Sequence, residues 1–525
     1  MTLARAHPGV LVAVSLLGVQ VAAAQTPASL VETVRQIDAQ LGAQHPNNAQ
    51  DVLAAADPEH RRHPHLLYRE SMVHFMLGRY QQALAVMDRA LAASADGDPE
   101  WQGMRELLAE TLEVNSRLLE ERSTDERFVV RYAPGADRYL VPYALQVLSA
   151  ADGVLSAFFG QRVPGPIRLE IYPTPADLAR VSSLTVADIE RTGTIALSKW
   201  NRLMIASPRA LVRGYPWMDT IAHEFVHLVL GYVSRNQAPV WLQEGIAKLL
   251  EQSWRTGAAE LQLHPASKGI LAAALRDDKL LAFEQLHPSI ALLDSQNEAA
   301  LAFAQVATFM HFFVERAGAG AIRSAVSAIA RGVDAKRAFA DVVSIPWKRL
   351  ESLWRERLEE SSASGSTAPR KLALRFRRGE GPVDESSDVL VKRARRHLRL
   401  GDLLWERGRV LAASLQYDKA LAHAPDNPII ASRLARCSLA AEDPVRAERA
   451  VSKVIARHPD HAPSQALLGA ARLAKGDRVG ARDALKAAIR LNPFDPQPHC
   501  DLARVADSEQ ERGLEARACA GLGGR

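Results

Sequence analysis

Residues Asp219 to Glu251 read DTIAHEFVHLVLGYVSRNQAPVWLQEGIAKLLE. Two apolar segments with helical spacing are separated by SRNQAP, Ser234 to Pro239, whose polar and turn-forming residues interrupt the pattern. The stretch therefore predicts a helix, a turn and a second helix. On the first, His223 and His227 are four residues apart and share a face, so both imidazoles can reach one cation. Glu224 follows His223 directly and is offset around the helix, where it can reach a metal-bound water without ligating the metal. The flanking residues Ile221, Ala222, Phe225, Val226 and Leu228 to Leu230 carry no charge, which lets the helix be buried and rigid. The bland alternative is a core helix that happens to hold two histidines.

The second helix weighs against that alternative. A catalytic zinc takes three protein ligands and leaves one position for water. Glu244 lies 16 intervening residues beyond His227, enough chain to turn and return a carboxylate to the same ion. Glu251, two turns after Glu244, and Asp219, one turn before His223, are candidate partners that would orient the ligands. An acidic residue in the first turn of a helix is favourable without any metal, which gives Asp219 a purely structural alternative.

HEFVH (His223, Glu224, His227) together with WLQEGIAKLLE (Trp241 to Glu251) resembles the gluzincin metallopeptidases, and more narrowly exported peptidases with a peptidase MA-like domain. The resemblance covers about residues 125–360. It implies an α+β domain whose sheet lies above the zinc helix, with an edge strand lining the substrate groove. It implies Zn2+ held by His223, His227 and Glu244, with Glu224 as general base and proton shuttle for a zinc-activated water. Two positions depart from the pattern. Related aminopeptidases carry an upstream strand whose glutamate holds the substrate's free amine; here the comparable GTIAL, Gly193 to Leu197, has Ala196 in that place, which points to an endopeptidase. Relatives also carry a tyrosine that donates to the transition-state oxyanion, and here the corresponding residue is Phe303, which cannot donate. His311, His287 and Tyr232 are possible substitutes, each with a structural alternative. An inactive zinc-domain scaffold is the second functional expectation.

Upstream of the motif, FVVRY (128–132), IRLEIY (167–172), GTIAL (193–197) and LMIA (203–206) are short β-prone runs bounded by Pro, Gly and Asp. A small sheet followed by helices is an α+β arrangement. Towards the C-terminus a 34-residue step appears: Pro425, Pro459 and Pro493; Leu400, Leu434, Leu468 and Leu502, each followed by Gly or Ala; Ala413, Ala447 and Ala481. This resembles tetratricopeptide (TPR) repeats over about residues 391–510, stacked helical hairpins that recruit protein partners or substrates. Leu66 to Ala93 repeats the same offsets and predicts one more hairpin, packed with helices near 28–42 and 100–122. The expected organisation is a signal peptide (1–24), an N-terminal helical region (25–124), the peptidase domain (125–360), a linker (361–390) and a C-terminal repeat domain (391–525), mainly α overall.

With 525 residues the chain is too long for one core. A short start with Arg5, an apolar run from Val10 to Val19 and small residues up to Ala24 predict a secretory signal and a periplasmic or secreted protein. An uncleaved anchor would need ~20 apolar residues. No later segment is expected to span a membrane. A net charge of +5 does not suggest nucleic acid as a partner. Cys437, Cys500 and Cys519 all lie far from the histidines, and the odd count leaves at least one unpaired within the molecule. RKLALRFRR, Arg370 to Arg378, reads as a solvated linker or an edge strand, with contact to an anionic surface as the alternative.

Overall fold

A computed structural model describes residues 28–94, 98–286, 290, 293–362, 372, 374–377, 379 and 384–524. The expected signal peptide, most of the SSASGSTAP linker and His287 lie outside the described residues.

The chain begins with helices α1 (Ala28–Gly42), α2 (Pro46–Ala55), α3 (Pro64–Met76), α4 (Tyr80–Ala93) and α5 (Pro99–Asn115). Helices α3 and α4 form the hairpin expected at Leu66 to Ala93, turning through Gly78 at φ +74°. A Cβ on Gly78 would stand 2.7 Å from Arg168 Cδ, so glycine is required here both by conformation and by space. The expectation of helix up to residue 122 fails: α5 stops at Asn115, and Leu119–Arg122 is a strand, β1. All four of its residues are exposed, so no apolar alternation marks it. It is held by pairing with β2 (Phe128–Tyr132) and by Arg131 and Tyr132, which donate to Glu120 and Glu121 at 2.9 and 2.6 Å.

The sheet also contains β3 (Ile167–Tyr172), β4 (Ala196–Lys199) and β5 (Arg202–Ala206), in the order β1-β2-β3-β5-β4. The central pairs β2/β3 and β3/β5 are parallel, and the two edge pairs are antiparallel. Gly193 ends the helix before β4 at φ +73°, so the strand starts three residues later than the GTIAL run suggests. Because side chains alternate along a strand, β3 sends Arg168, Glu170 and Tyr172 to one face and Ile167, Leu169 and Ile171 to the other. The polar set meets the N-terminal helices. Arg168 donates to the carbonyls of Met76 and Leu77 at the end of α3. Glu170 accepts from Arg202 at 2.8 Å and from the hydroxyls of Tyr80 and Tyr172. Burial would push the Glu170 carboxyl up, but Arg202 and Arg131 outweigh it and hold it below its usual range.

Between the strands lie α6 (Val141–Phe159), α7 (Pro175–Arg180) and α8 (Val186–Thr192). The segment Ala136–Phe159 corrects the expectation that nothing after the signal reaches the length and hydropathy of a span. Half of that apolar window is buried in the fold, against the sheet and the helix bearing the two histidines. Asp152 on α6 accepts from Arg127 at 2.7 Å and Arg162 at 2.8 Å.

After β5 come α9 (Trp217–Val233), α10 (Val240–Leu250), α11 (Ser253–Thr256), α12 (Pro265–Arg276), α13 (Gln296–Ala317), α14 (Ala319–Ile329), α15 (Ala335–Val343) and α16 (Trp347–Ser362). The repeats follow as four hairpins: α17 (Lys392–Glu406) with α18 (Val410–His423), α19 (Pro428–Ala440) with α20 (Pro444–Ile455), α21 (Ala462–Ala474) with α22 (Arg478–Leu491), and α23 (Pro496–Val505) with α24 (Glu509–Gly521). The small residue after each repeated leucine has a steric reason. A Cβ on Gly401 would meet Tyr417 at 2.4 Å, and one on Gly469 would meet Leu485 at 2.6 Å. The fold is thus an α+β domain flanked by TPR-like helices, mainly α overall.

The last repeats are continuous with the main core. Leu485, Ile489, Leu502 and Val505 belong to the same apolar cluster as the sheet and α9. Tyr215 N–H donates to Leu491 O at 2.9 Å, and Trp217 Nε1 to Ile489 O at 3.1 Å. Tyr143 donates its hydroxyl to Glu515 at 2.7 Å. Cys500 and Cys519 form a disulfide between α23 and α24, and Cys437 is free and buried. Phe376 forms an isolated antiparallel bridge with Leu211, and Val212 N–H donates to Arg375 O at 2.9 Å, so this part of the basic run is docked by its backbone outside the five-stranded sheet.

Candidate metal centre

Helix α9 is buried along most of its length, as its uncharged flanks require, and lies beneath β4 and β5. Its chain reverses through Arg235 and Asn236, both at positive φ (53° and 59°), and re-enters as α10 behind Pro239. Gly245 allows α10 to approach α13 closely: a Cβ there would lie 2.6 Å from Met310 Cγ and 2.9 Å from Val306 O. The glycine next to Glu244 therefore sets how deeply that carboxylate reaches.

The reversal brings three of the expected residues to one point. His223 Nε2 and His227 Nε2 are 3.1 Å apart, and Glu244 Oε2 lies 3.2 Å from the first and 3.4 Å from the second. A tetrahedral ion with bonds of roughly 2.0–2.1 Å needs ligand atoms about 3.3 Å apart, so the donor set fits zinc. Among the described residues these three form the one such group of possible metal ligands.

Glu251 and Asp219 separate. Glu251 Oε2 is 3.1 Å from His223 Nδ1, where it would hold the proton of a neutral imidazole on Nδ1 and turn Nε2 to an ion. Asp219 instead accepts from Trp254 Nε1 at 2.9 Å and Arg255 Nε at 3.3 Å, tying α11 to the first turn of α9. As an orienting partner of the ligands Asp219 is thus corrected to its structural alternative. Glu224 is 5% exposed, and its Oε2 is buried without a hydrogen-bond partner. Burial raises its pKa, against the pull of His227 and His223. Burial disfavours a charged His223, yet the hydrogen bonds to Glu244 and Glu251 prevail and raise it to about 9. For Glu251, burial is outweighed by Lys248 and His223, which hold it down to about 2.

Lys248 is the site residue that motif reading passes over. Its Nζ donates to Glu251 Oε2 at 2.9 Å and stands 5.3 Å from the centroid of the Phe303 ring. Its spacing, four after Glu244 and three before Glu251, was the available signal. Phe303 meets His223 edge to face at 6.3 Å, so the residue that departs from the expected tyrosine does sit beside the ligands. Tyr232 packs on His45 at 4.2 Å, and His311 lies 3.8 Å from Glu315 on α13. Ala196 begins edge strand β4, above α9.

Family models match three stretches of the chain. The Peptidase MA superfamily model matches residues 149–360, and two tetratricopeptide repeat models match 404–471 and 34–99. No curated protein matches. Solved structures that resemble the chain are repeat proteins. The first TPR of Spaghetti, bound to an HSP90 peptide, is 19% identical with a TM-score of 0.22, covering 22% of this chain and 92% of that one. The Sgt2 TPR domain from Aspergillus fumigatus is 22% identical with a TM-score of 0.22, covering 23% of this chain and 82% of its own. The P58(IPK) TPR domain is 11% identical with a TM-score of 0.21, covering 94% of this chain and 99% of its own. Residues 149–360 are a Peptidase MA superfamily domain, set between tetratricopeptide repeats.

Proposed function

We propose that this chain is an exported zinc-dependent endopeptidase whose repeats bring protein substrates or partners to the catalytic domain. The observation that carries the reading is the triangle of His223 Nε2, His227 Nε2 and Glu244 Oε2, with the unpartnered carboxylate of Glu224 on the same helix. Bound zinc supplies the charge that polarises a scissile carbonyl and acidifies water. His223, His227 and Glu244 hold the ion, and Glu251 fixes the ring of His223. Glu224 takes the proton of the attacking water and delivers it to the leaving amine; its burial brings its pKa closer to that task. Ala196 in place of an amine-binding glutamate leaves the groove open to internal peptide bonds, and the backbone edge of β4 offers hydrogen bonds to an extended substrate. The Cys500–Cys519 disulfide supports an oxidising compartment, as the N-terminal sequence does.

The purified protein should contain about one zinc per chain. Its hydrolysis of an unfolded protein should fall by about 10²–10⁴-fold in Glu224→Gln while zinc content is kept. Equal, background hydrolysis by both proteins would defeat the enzyme reading. One observation favours a second reading, a repeat scaffold that retains zinc without turnover: Phe303, beside His223, has no donor for an oxyanion.

A further inference from the structure

The repeats bury one pair of positions in every hairpin but the first. Leu434, Leu468 and Leu502 are 5%, 6% and 1% exposed, while their counterpart Leu400 is 45% exposed. Three residues on, Cys437 and Ala471 are both 0% exposed, and their counterpart Leu403 is 52% exposed. The cause is the preceding hairpin. Leu434 and Cys437 share an apolar cluster with Ala413, Tyr417 and Ala420 of α18, and Leu468 and Ala471 share one with Ala447 and Val451 of α20. Nothing among the described residues takes that place in front of α17.

The helix that bears the uncovered face is mostly cationic. Helix α17 carries five cations, Lys392, Arg393, Arg395, Arg396 and Arg399, against two carboxylates, Asp402 and Glu406. Asp402 is engaged by the Tyr417 hydroxyl at 2.7 Å and Arg433 at 3.5 Å. Arg399 is taken by Asp384 at 3.3 Å. Arg393 and Arg396 make no ion pair among the described residues, and with Leu400 and Leu403 they fall at the three- and four-residue steps of one helical stripe. A stacked-repeat array ends in a polar cap when its end is free in solution, and this end has two leucines and unpaired cations instead.

We propose that the open face of α17 binds an amphipathic helix of a partner protein, leucine-type residues against Leu400 and Leu403 and acidic residues against Arg393 and Arg396. The helix occupies the position that α18 holds before α19 and α20 holds before α21. This locates the partner contact that the proposed function gives the repeats and rests on that part of it alone, independent of zinc. A second copy of this chain would bring like charges together, which disfavours it as occupant.

The test uses the full chain and a helix-stabilised peptide of about 15 residues, with leucines along one face and glutamates on both flanks, beside the same peptide flanked by lysines. By fluorescence anisotropy the glutamate-flanked peptide should bind at least about tenfold tighter, and more weakly as salt is raised. Leu403→Glu and Arg396→Glu should each lower its affinity by about tenfold or more, while Val445→Glu, on an exposed position of the next hairpin, should not. Leu403→Ala provides a milder variant in which circular dichroism should stay native. Equal binding of the two peptides, or binding untouched by Leu403→Glu, overturns the proposal, and in the latter case recruitment through another repeat surface would still stand. A concentration-dependent dimer dissolved by Leu403→Glu would also overturn it, naming a second copy as the occupant. So would protection of residues 363–383 from proteolysis that Leu403→Glu removes.

Discussion

Lys248 Nζ and Glu251 Oε2 are 2.9 Å apart, and the oxygen they share is the one 3.1 Å from His223 Nδ1. The lysine therefore fixes the carboxylate that fixes the imidazole. Removing it in Lys248→Met should weaken zinc binding by about 10–100-fold, measured by competition with a chelator, as loss of an orienting partner does elsewhere. Lys248→Arg should recover part of the loss. Glu251→Gln should match or exceed it, and His227→Ala should abolish zinc retention outright. Unchanged affinity in Lys248→Met would reduce the lysine to packing on Phe303.

Glu224 holds a buried oxygen that nothing in the fold satisfies. In the metal-free protein, Glu224→Leu should then raise stability by about 1–2 kcal/mol, because a desolvated carboxylate is replaced by an apolar side chain of similar length. Thermal melts of the two apo proteins compare them directly. A lower melting temperature in the variant would mean that Glu224 is satisfied by water in solution.

Gly245→Ala should destabilise the protein by about 1–3 kcal/mol and lower zinc affinity together, since the added methyl collides with Met310 and with the Val306 carbonyl on α13. Denaturant melts with and without zinc separate the two effects. A neutral result would show that α13 can yield.

His461 is buried, and burial together with Arg213 and Arg433 depresses its pKa to about 3. Unfolded, it returns to its ordinary value near 6.5 and takes up a proton that the folded state refuses. Its contribution to stability is therefore complete above about pH 6.5 and lost progressively as pH falls towards 3, on the order of 2 kcal/mol by pH 5. His461→Gln should flatten that part of the stability profile between pH 7 and 5, measured by urea melts. A wild-type slope unchanged in the variant would assign it to other groups.

Much of this was legible from local spacing. The step of four between His223 and His227, the return to Glu244 and the 34-residue period each arise within one helix or one hairpin, where sequence distance and space are closely related. What escaped reading is non-local or has no apolar signature. Strand β1 is Leu-Glu-Glu-Arg and exposed throughout, so only its partner β2 makes it a strand. Asp219 resembled an orienting residue until Trp254 and Arg255, 35 and 36 residues away, claimed it. Lys248 was in plain view at helical spacing, but a lysine among ligands matches no metal motif.

The bonds from Trp217 to Ile489 and from Tyr215 to Leu491 bridge 272 and 276 residues, and they hold the very turn from which the histidine helix departs. Inheritance and folding therefore divide this chain differently. The Peptidase MA match ends at residue 360, whereas the apolar cluster around the histidine helix takes in Leu485, Ile489, Leu502 and Val505 of the last two hairpins. A fragment cut at residue 360 would leave that cluster open and the backbone bonds to Tyr215 and Trp217 unmade.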